Sequence, residues 1–199
     1  MYLSKVISEV SNLVEYAAET PEGRTARFDF FIGELLQKTP GNIVEIGAGV
    51  GHSTRVFLEH AKRYDRKVLV IDPWQSDNFQ PPGYGAYSFD DFSERVKGYE
   101  NLVVAKMPSF YKEVESFLRD IKPIAFAFVD GLQFKEHVLS DLFLMAAYDA
   151  QVICVDDINR STAISEVPEA VNKFLQGNNK YTRVETRENL IECYLIKSS

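Results

Sequence analysis

Residues 42–54 read "NIVEIGAGVGHST", a short, largely apolar run that opens into glycines at 47, 49 and 51. The run has the length of a buried strand, and a helix is predicted to begin near Ser53. A glycine turn of this kind lets a ligand approach the backbone closely, while the unpaired N–H groups of the following helix point into the same space. Strand, turn and helix together read as a nucleotide-binding unit. A dinucleotide site wants G-x-G-x-x-G, and its third glycine would fall at His52, so the spacing departs from that pattern.

The same rhythm continues outward. Apolar runs of strand length, "KVLVID", "NLVVAK", "IAFAFVD" and "QVICVDD", alternate with amphipathic segments near 53–63, 88–97, 110–120, 134–147 and 163–176. Strands that are apolar throughout belong to a sheet covered on both sides. The pattern predicts a doubly wound α/β fold with a mostly parallel seven-stranded sheet and helices on both faces. Two closing segments, "YTRVETR" and "LIECYLI", predict a C-terminal antiparallel hairpin at the sheet edge. The chain reads as a single domain over 1–199: an N-terminal helical cap over 1–38, broken at "ETPEG" by Pro21 and Gly23, and a core over 39–199. Between the second strand and its helix lies "WQSDNFQPPGYGAYSFDDF", residues 74–92. It predicts a mobile lid over 75–92, with Phe79, Tyr84, Tyr87 and Phe89 offering apolar surface to an acceptor.

At 199 residues, with 45% hydrophobic and 26% charged residues, the composition is that of a soluble globule. The net charge of −7 argues against nucleic acid or an anionic membrane as partner. A small-molecule substrate fits better, and a homo-oligomer is compatible with the sequence. The start, "MYLSKVISEVSNLVEY", lacks the basic-then-apolar order of a signal peptide, which predicts a cytoplasmic protein. Cys154 and Cys193, both in apolar runs, read as buried reduced thiols.

Chemistry gathers at the strand ends. Glu45 precedes the first glycine, Asp72 closes "VLVID", Asp130 closes "IAFAFVD", and Asp156 and Asp157 follow "VICV". The carboxyl ends of the strands line the ligand crevice of a doubly wound sheet, so these acids are predicted to meet at one site. An adjacent pair of carboxylates is costly to bury unless partnered, neutralised or bound to a metal.

"VEIGAGVGHST", "VIDPW", "FVDGLQFKEHVLSDL" and "VDDI", in this order, resemble a class I S-adenosylmethionine-dependent methyltransferase with its Rossmann-like fold. The chain is most similar to the metal-dependent small-molecule O-methyltransferases of the catechol and macrolide-sugar types. The resemblance covers about 40 to 197. It implies that Glu45, Gly47, Gly49 and Ser53 lie beside the methionine part of the cofactor, and that Asp72 binds the ribose. It also implies Trp74 against the adenine and Met107 and Ser109 at the adenine rim, with core packing as the alternative for Trp74 and Met107. Asp130, lying near the cofactor's amino group, would with Asp156 and Asp157 hold a divalent metal, Mg²⁺ fitting the all-oxygen set.

One departure bears on the reaction. Members of the resembled family often carry Lys or His three residues after the fourth-strand acid as a base, and this chain has Gln133. Glutamine cannot accept a proton, which leaves Asp130, the metal, or His137 on the following helix as agents of deprotonation. The reading is metal-assisted O-methylation of a small hydroxylated molecule. Its alternatives are a nicotinamide-dependent oxidoreductase, which His52 disfavours, and a catalytically inactive S-adenosylmethionine-binding protein, which Gln133 favours.

Overall fold

The computed structural model describes residues 21–74, 87–158, 166–184 and 192–198. Helix α1 (Pro21–Lys38) leads into β1 (Asn42–Ile46), α2 (His52–Arg63), β2 (Val68–Ile71), α3 (Phe89–Arg95) and β3 (Leu102–Ala105). There follow α4 (Val114–Ile121), β4 (Ile124–Val129), α5 (Lys135–Ala147), β5 (Val152–Val155), α6 (Val167–Gly177), β6 (Tyr181–Val184) and β7 (Cys193–Lys197). The sheet order is β3-β2-β1-β4-β5-β7-β6. Strands β1 to β5 pair in parallel, while β7 runs antiparallel to both β5 and β6. The predicted seven-stranded sheet with its closing hairpin is therefore present. Order reverses between β1 and β4, where a crevice opens at the carboxyl ends of the strands.

Side chains alternate across the sheet with the strand period of two. Val44, Ile46, Ala127, Val129, Ile153 and Val155 face the helices α4, α5 and α6 through Leu118, Leu142 and Phe174. Ile43, Phe126, Phe128, Val152 and Cys154 face the other way, toward α1, α2 and α3. Helix α1 buries Phe28, Phe31, Ile32, Leu35 and Leu36, a stripe at helical spacing. Phe28 meets Phe128 edge-on with ring centroids 5.0 Å apart, and Phe31 meets Tyr194 at 5.0 Å. Aromatic pairs in such tilted geometries add to the gain from burial. The helix thus covers part of one face of the sheet. Its start at Pro21 fits proline's tolerance in the first helical turn. The other expected helix of the cap lies outside the described residues.

The lid expectation needs correcting at one end. Residues 75–86 lie outside the described residues, but α3 already begins at Phe89, with Ser88 Oγ accepting the Asp90 N–H at 3.1 Å. Phe89 meets Trp74 edge-on and Phe92 meets it at a tilt, with ring centroids 4.9 and 4.7 Å from the indole. Phe89 is therefore a packing residue rather than lid surface. A serine cap followed by two acids in the first turn is a strong helix start. Cys154 and Cys193 are buried and free, as expected. Among the described residues no helix is long and apolar enough to cross a membrane.

Candidate active site

The backbone ladder carries the acids to the rim of the crevice. Asp72 N–H donates to the Ala105 carbonyl (3.2 Å), Asp130 N–H to Ile46 (2.8 Å), and Asp156 N–H to Val129 (3.0 Å). Each acid is thereby held in line just beyond its strand. Asp130, Asp156 and Asp157 converge further: one carboxylate oxygen from each lies within 4.8 Å of the others. Asp156 and Asp157 are buried, 3% and 2% exposed. Asp157 sits in the left-handed region at φ 58°. Asp and Asn adopt that conformation more readily than other non-glycine residues.

Gln133 enters the same cluster. Its side-chain amide donates to Asp157 Oδ2, and its backbone carbonyl accepts the Glu166 N–H at 3.2 Å. The residue that departs from the family pattern is thus a clamp on an acid. The three carboxylates offer oxygen ligands, the kind that suit a hard divalent cation. His137, one helical turn into α5, has its ring near Phe110 and Phe134, with centroids 6.0 and 6.1 Å away.

The glycine turn lies directly beside this cluster. Gly47, at φ 84°, passes so close to the end of β4 that a Cβ there would collide with the Asp130 carbonyl and stand 2.7 Å from the Gly131 nitrogen. Only glycine fits. At Gly49, φ 52°, a Cβ would stand 3.3 Å from the ring of Tyr87. Asp72 secures the turn from the next strand. Its Oδ2 accepts the N–H groups of Ala48 (2.8 Å) and Gly49 (3.1 Å), and its Oδ1 accepts the Trp74 N–H (2.6 Å). Burial nevertheless raises its pKa against those three bonds. An ionised carboxylate has about four acceptor positions, so some capacity for a ribose hydroxyl remains.

Glu45 is fully buried at the end of β1, and its partners are both hydroxyls of the α2 entrance. Ser53 Oγ donates to one oxygen and Thr54 Oγ1 to the other, the latter at 2.5 Å. Desolvation dominates these bonds and pushes the Glu45 pKa up to about 7. Glu45 and Ser53, expected at the methionine end, are brought together with each other as partners. Trp74 is buried, its indole N–H donates to the Gly49 carbonyl at 2.8 Å, and its ring packs with Phe89 and Phe92 of α3. Met107 packs against the core on the α5 side.

Ser109 reveals a residue the sequence reading missed. Its hydroxyl donates at 2.5 Å to Oδ1 of Asp141, a 3% exposed acid on α5. Burial raises the Asp141 pKa to about 7. A signal existed in the sequence: Asp141 stands between Val138 and Met145 on the apolar stripe of α5, where an acid has no business without a partner.

The sheet order, the glycine turn and the rim of acids define a doubly wound α/β protein whose crevice binds a nucleotide-like ligand. The family model described as "Methyltransferase domain" matches residues 44–158. The chain belongs to that family, and it is a methyltransferase. No curated protein matches the sequence. Among solved structures, the apo form of CalS11, a TDP-rhamnose 3'-O-methyltransferase of calicheamicin biosynthesis, is similar with a TM-score of 0.65. It shares 15% identity, over 98% of this chain and 94% of that one. The O-methyltransferase from Bacillus cereus in complex with S-adenosylhomocysteine has a TM-score of 0.61 and 12% identity, over 99% and 91% of the two chains. The cmcI-D160 structure with Mg and S-adenosylmethionine has a TM-score of 0.55 and 14% identity, over 91% and 73%. At these identities the likeness is one of fold.

Proposed function

We propose that the protein transfers the methyl group of S-adenosylmethionine to a hydroxyl oxygen of a small molecule, with a divalent metal held by Asp130, Asp156 and Asp157. The observation that carries this reading is the convergence of those three carboxylates within 4.8 Å, with the backbone of Asp130 lying against Gly47 of the glycine turn. Fold neighbours bound to S-adenosylhomocysteine, and to Mg with S-adenosylmethionine, support the same cofactor pair. A sugar-bearing acceptor is consistent with the likeness to CalS11.

Each residue then has a task. Asp72 holds the turn and offers its remaining acceptor capacity to the ribose, and the Gly47–Gly49 backbone admits the methionine portion. A divalent cation at the three aspartates would lower the pKa of an acceptor hydroxyl and fix its position. Gln133 orients Asp157, and the transfer itself depends on alignment of acceptor oxygen and methyl carbon. Asp130 and His137 are the two side chains assigned to take up the hydroxyl proton.

Conversion of S-adenosylmethionine to S-adenosylhomocysteine over a panel of phenols, sugars and hydroxy acids, with and without Mg²⁺, tests the proposal. Turnover that chelator abolishes and Mg²⁺ restores is the expected result. A second reading, a cofactor-binding protein without catalysis, draws on the Gln133 amide where a base could stand. Tight calorimetric binding of S-adenosylmethionine with no turnover on any acceptor would favour it.

A further inference from the structure

Helix α1 brings one cation to the edge of the acid cluster. Arg27 is 6% exposed, and among the described residues no other lysine or arginine is buried. Its guanidinium donates at 2.6 Å to Oε1 of Glu192, which is buried just ahead of β7. The placement follows from the packing of α1. Arg27 stands one helical turn before Phe31, whose ring meets Tyr194 at 5.0 Å, and Glu192 lies two residues before Tyr194, the spacing that keeps to one face of a strand.

The acid cluster comes next on that face. Strand β7 pairs with β5 so that Tyr194 is opposite Cys154 and Cys193 is opposite Val155. One step further along the two chains come Glu192 and Asp156, the latter one of the three clustered aspartates. Burial raises the Cys154 thiol well above its usual pKa, and both of these carboxylates are close enough to add to the effect.

Arg27 thus reaches a place where two buried carboxylates are neighbours, and it is joined to the one outside the cluster. A buried charge without a partner is costly, so a guanidinium released by Glu192 would turn to the next acid within reach. That acid is Asp156. Arg27 also has a donor left to use: its Nε is buried and has no hydrogen-bond partner among the described residues. Paired with Asp156, it would set a permanent positive charge on a carboxylate that a metal needs, because a guanidinium does not lose its proton.

We propose that Glu192 is a positioning residue for the metal site: by holding Arg27 it keeps the guanidinium off Asp156 and leaves that carboxylate to the divalent cation. This rests on the reading of Asp130, Asp156 and Asp157 as a metal site. Arg27 is then a competitor of the metal built into the fold and held in check by one side chain. The ion pair carries no net charge, so it anchors α1 beside the cluster without repelling a cation.

The test is paramagnetic titration of Mn²⁺ into wild type, Glu192→Gln, Arg27→Met and the double variant, each checked for native folding by circular dichroism. Glu192→Gln keeps the shape but frees Arg27, and should weaken Mn²⁺ binding roughly tenfold or more, the scale of one unit charge a few ångströms away. Removing the arginine as well should bring the affinity back to within about threefold of wild type, a rescue that a merely structural pair would not give. The double variant should fold, because replacing both members of a buried pair is tolerated far better than removing one. Arg27→Met alone should bind Mn²⁺ no more weakly than wild type, and with the double variant it serves if Glu192→Gln does not fold. Wild-type affinity in folded Glu192→Gln overturns the inference while leaving the metal site intact. A double variant that binds as weakly as Glu192→Gln, or weaker binding by Arg27→Met, does the same. A folded wild type that binds no Mn²⁺ overturns the metal reading, and this inference with it.

Discussion

The carboxylate of Asp72 accepts the N–H of Ala48 at 2.8 Å, so that the acid closing β2 holds in place the turn that leaves β1. Asp72 has two roles, and removing it tests both. Asp72→Ala strands the N–H groups of Ala48, Gly49 and Trp74, and should lower unfolding stability by about 2–4 kcal/mol. It should also weaken S-adenosylhomocysteine binding by roughly 1–3 kcal/mol through loss of a charge-assisted acceptor. Urea unfolding and calorimetry on the same preparation separate the effects; unchanged affinity would place the ribose elsewhere.

The acid cluster predicts a thermal response to metal. Three carboxylates close together repel one another, and a divalent cation relieves the repulsion while stabilising the folded state by mass action. Melting with S-adenosylhomocysteine present should rise on adding Mg²⁺ or Mn²⁺. Asp156→Asn and Asp157→Asn should melt no lower than wild type without metal, yet lose most of that rise. Asp130→Asn should cost cofactor affinity as well, because Asp130 adjoins the glycine turn. A wild type whose melting ignores both metals would leave these acids as turn residues.

Gln133 acts through Asp157, so its loss should be felt at the metal and not at the cofactor. Gln133→Leu removes the amide donor at similar volume. The expected outcome is a several-fold weaker Mn²⁺ affinity, read by paramagnetic titration, with S-adenosylhomocysteine binding within twofold of wild type. Undiminished Mn²⁺ affinity would reduce the amide contact to packing.

Glu45 gives the fold a pH dependence of definite sign. A glutamic acid titrates near 4.5 when unperturbed and about 7 here, because burial disfavours its charged form. The folded state therefore holds a proton that the unfolded chain releases, and stability falls as pH rises between those values. The slope for one full proton is about 1.4 kcal/mol per pH unit. Asp141, raised to about 7, works in the same direction. Denaturant unfolding from pH 5 to 7.5 should show wild type losing stability relative to Glu45→Gln, and parallel curves would refute the burial argument.

The fold was legible because its strands are apolar throughout and their ends are marked by acids. "VLVID", "IAFAFVD" and "VICVDD" announce both a sheet covered on two sides and a crevice at its carboxyl edge. Contacts between segments distant in sequence were not legible. Nothing local to "VIDPW" says that the indole of Trp74 turns into the α3 cluster. Nor does any local pattern pair Ser109 with Asp141 across 32 positions. Phe89 was misplaced because proline and glycine dominate the stretch before it, masking the Ser88 cap that starts α3. Asp130, Asp156 and Asp157 were legible as neighbours because they follow adjacent strands β4 and β5, and the resemblance to metal-dependent methyltransferases set them apart from the other strand-end acids. Asp157's clamp by Gln133 depends on a left-handed backbone turn that the sequence does not declare.

Gly47 has no room for a side chain because the backbone of Asp130 and Gly131 lies against it. Methyl transfer needs close alignment of donor and acceptor, and the proposed function would set both from this one point of contact. Any change that widened the turn would also push the acid cluster aside. On the proposed reading, the spacing between methyl donor and acceptor is therefore set by backbone contact rather than by side chains.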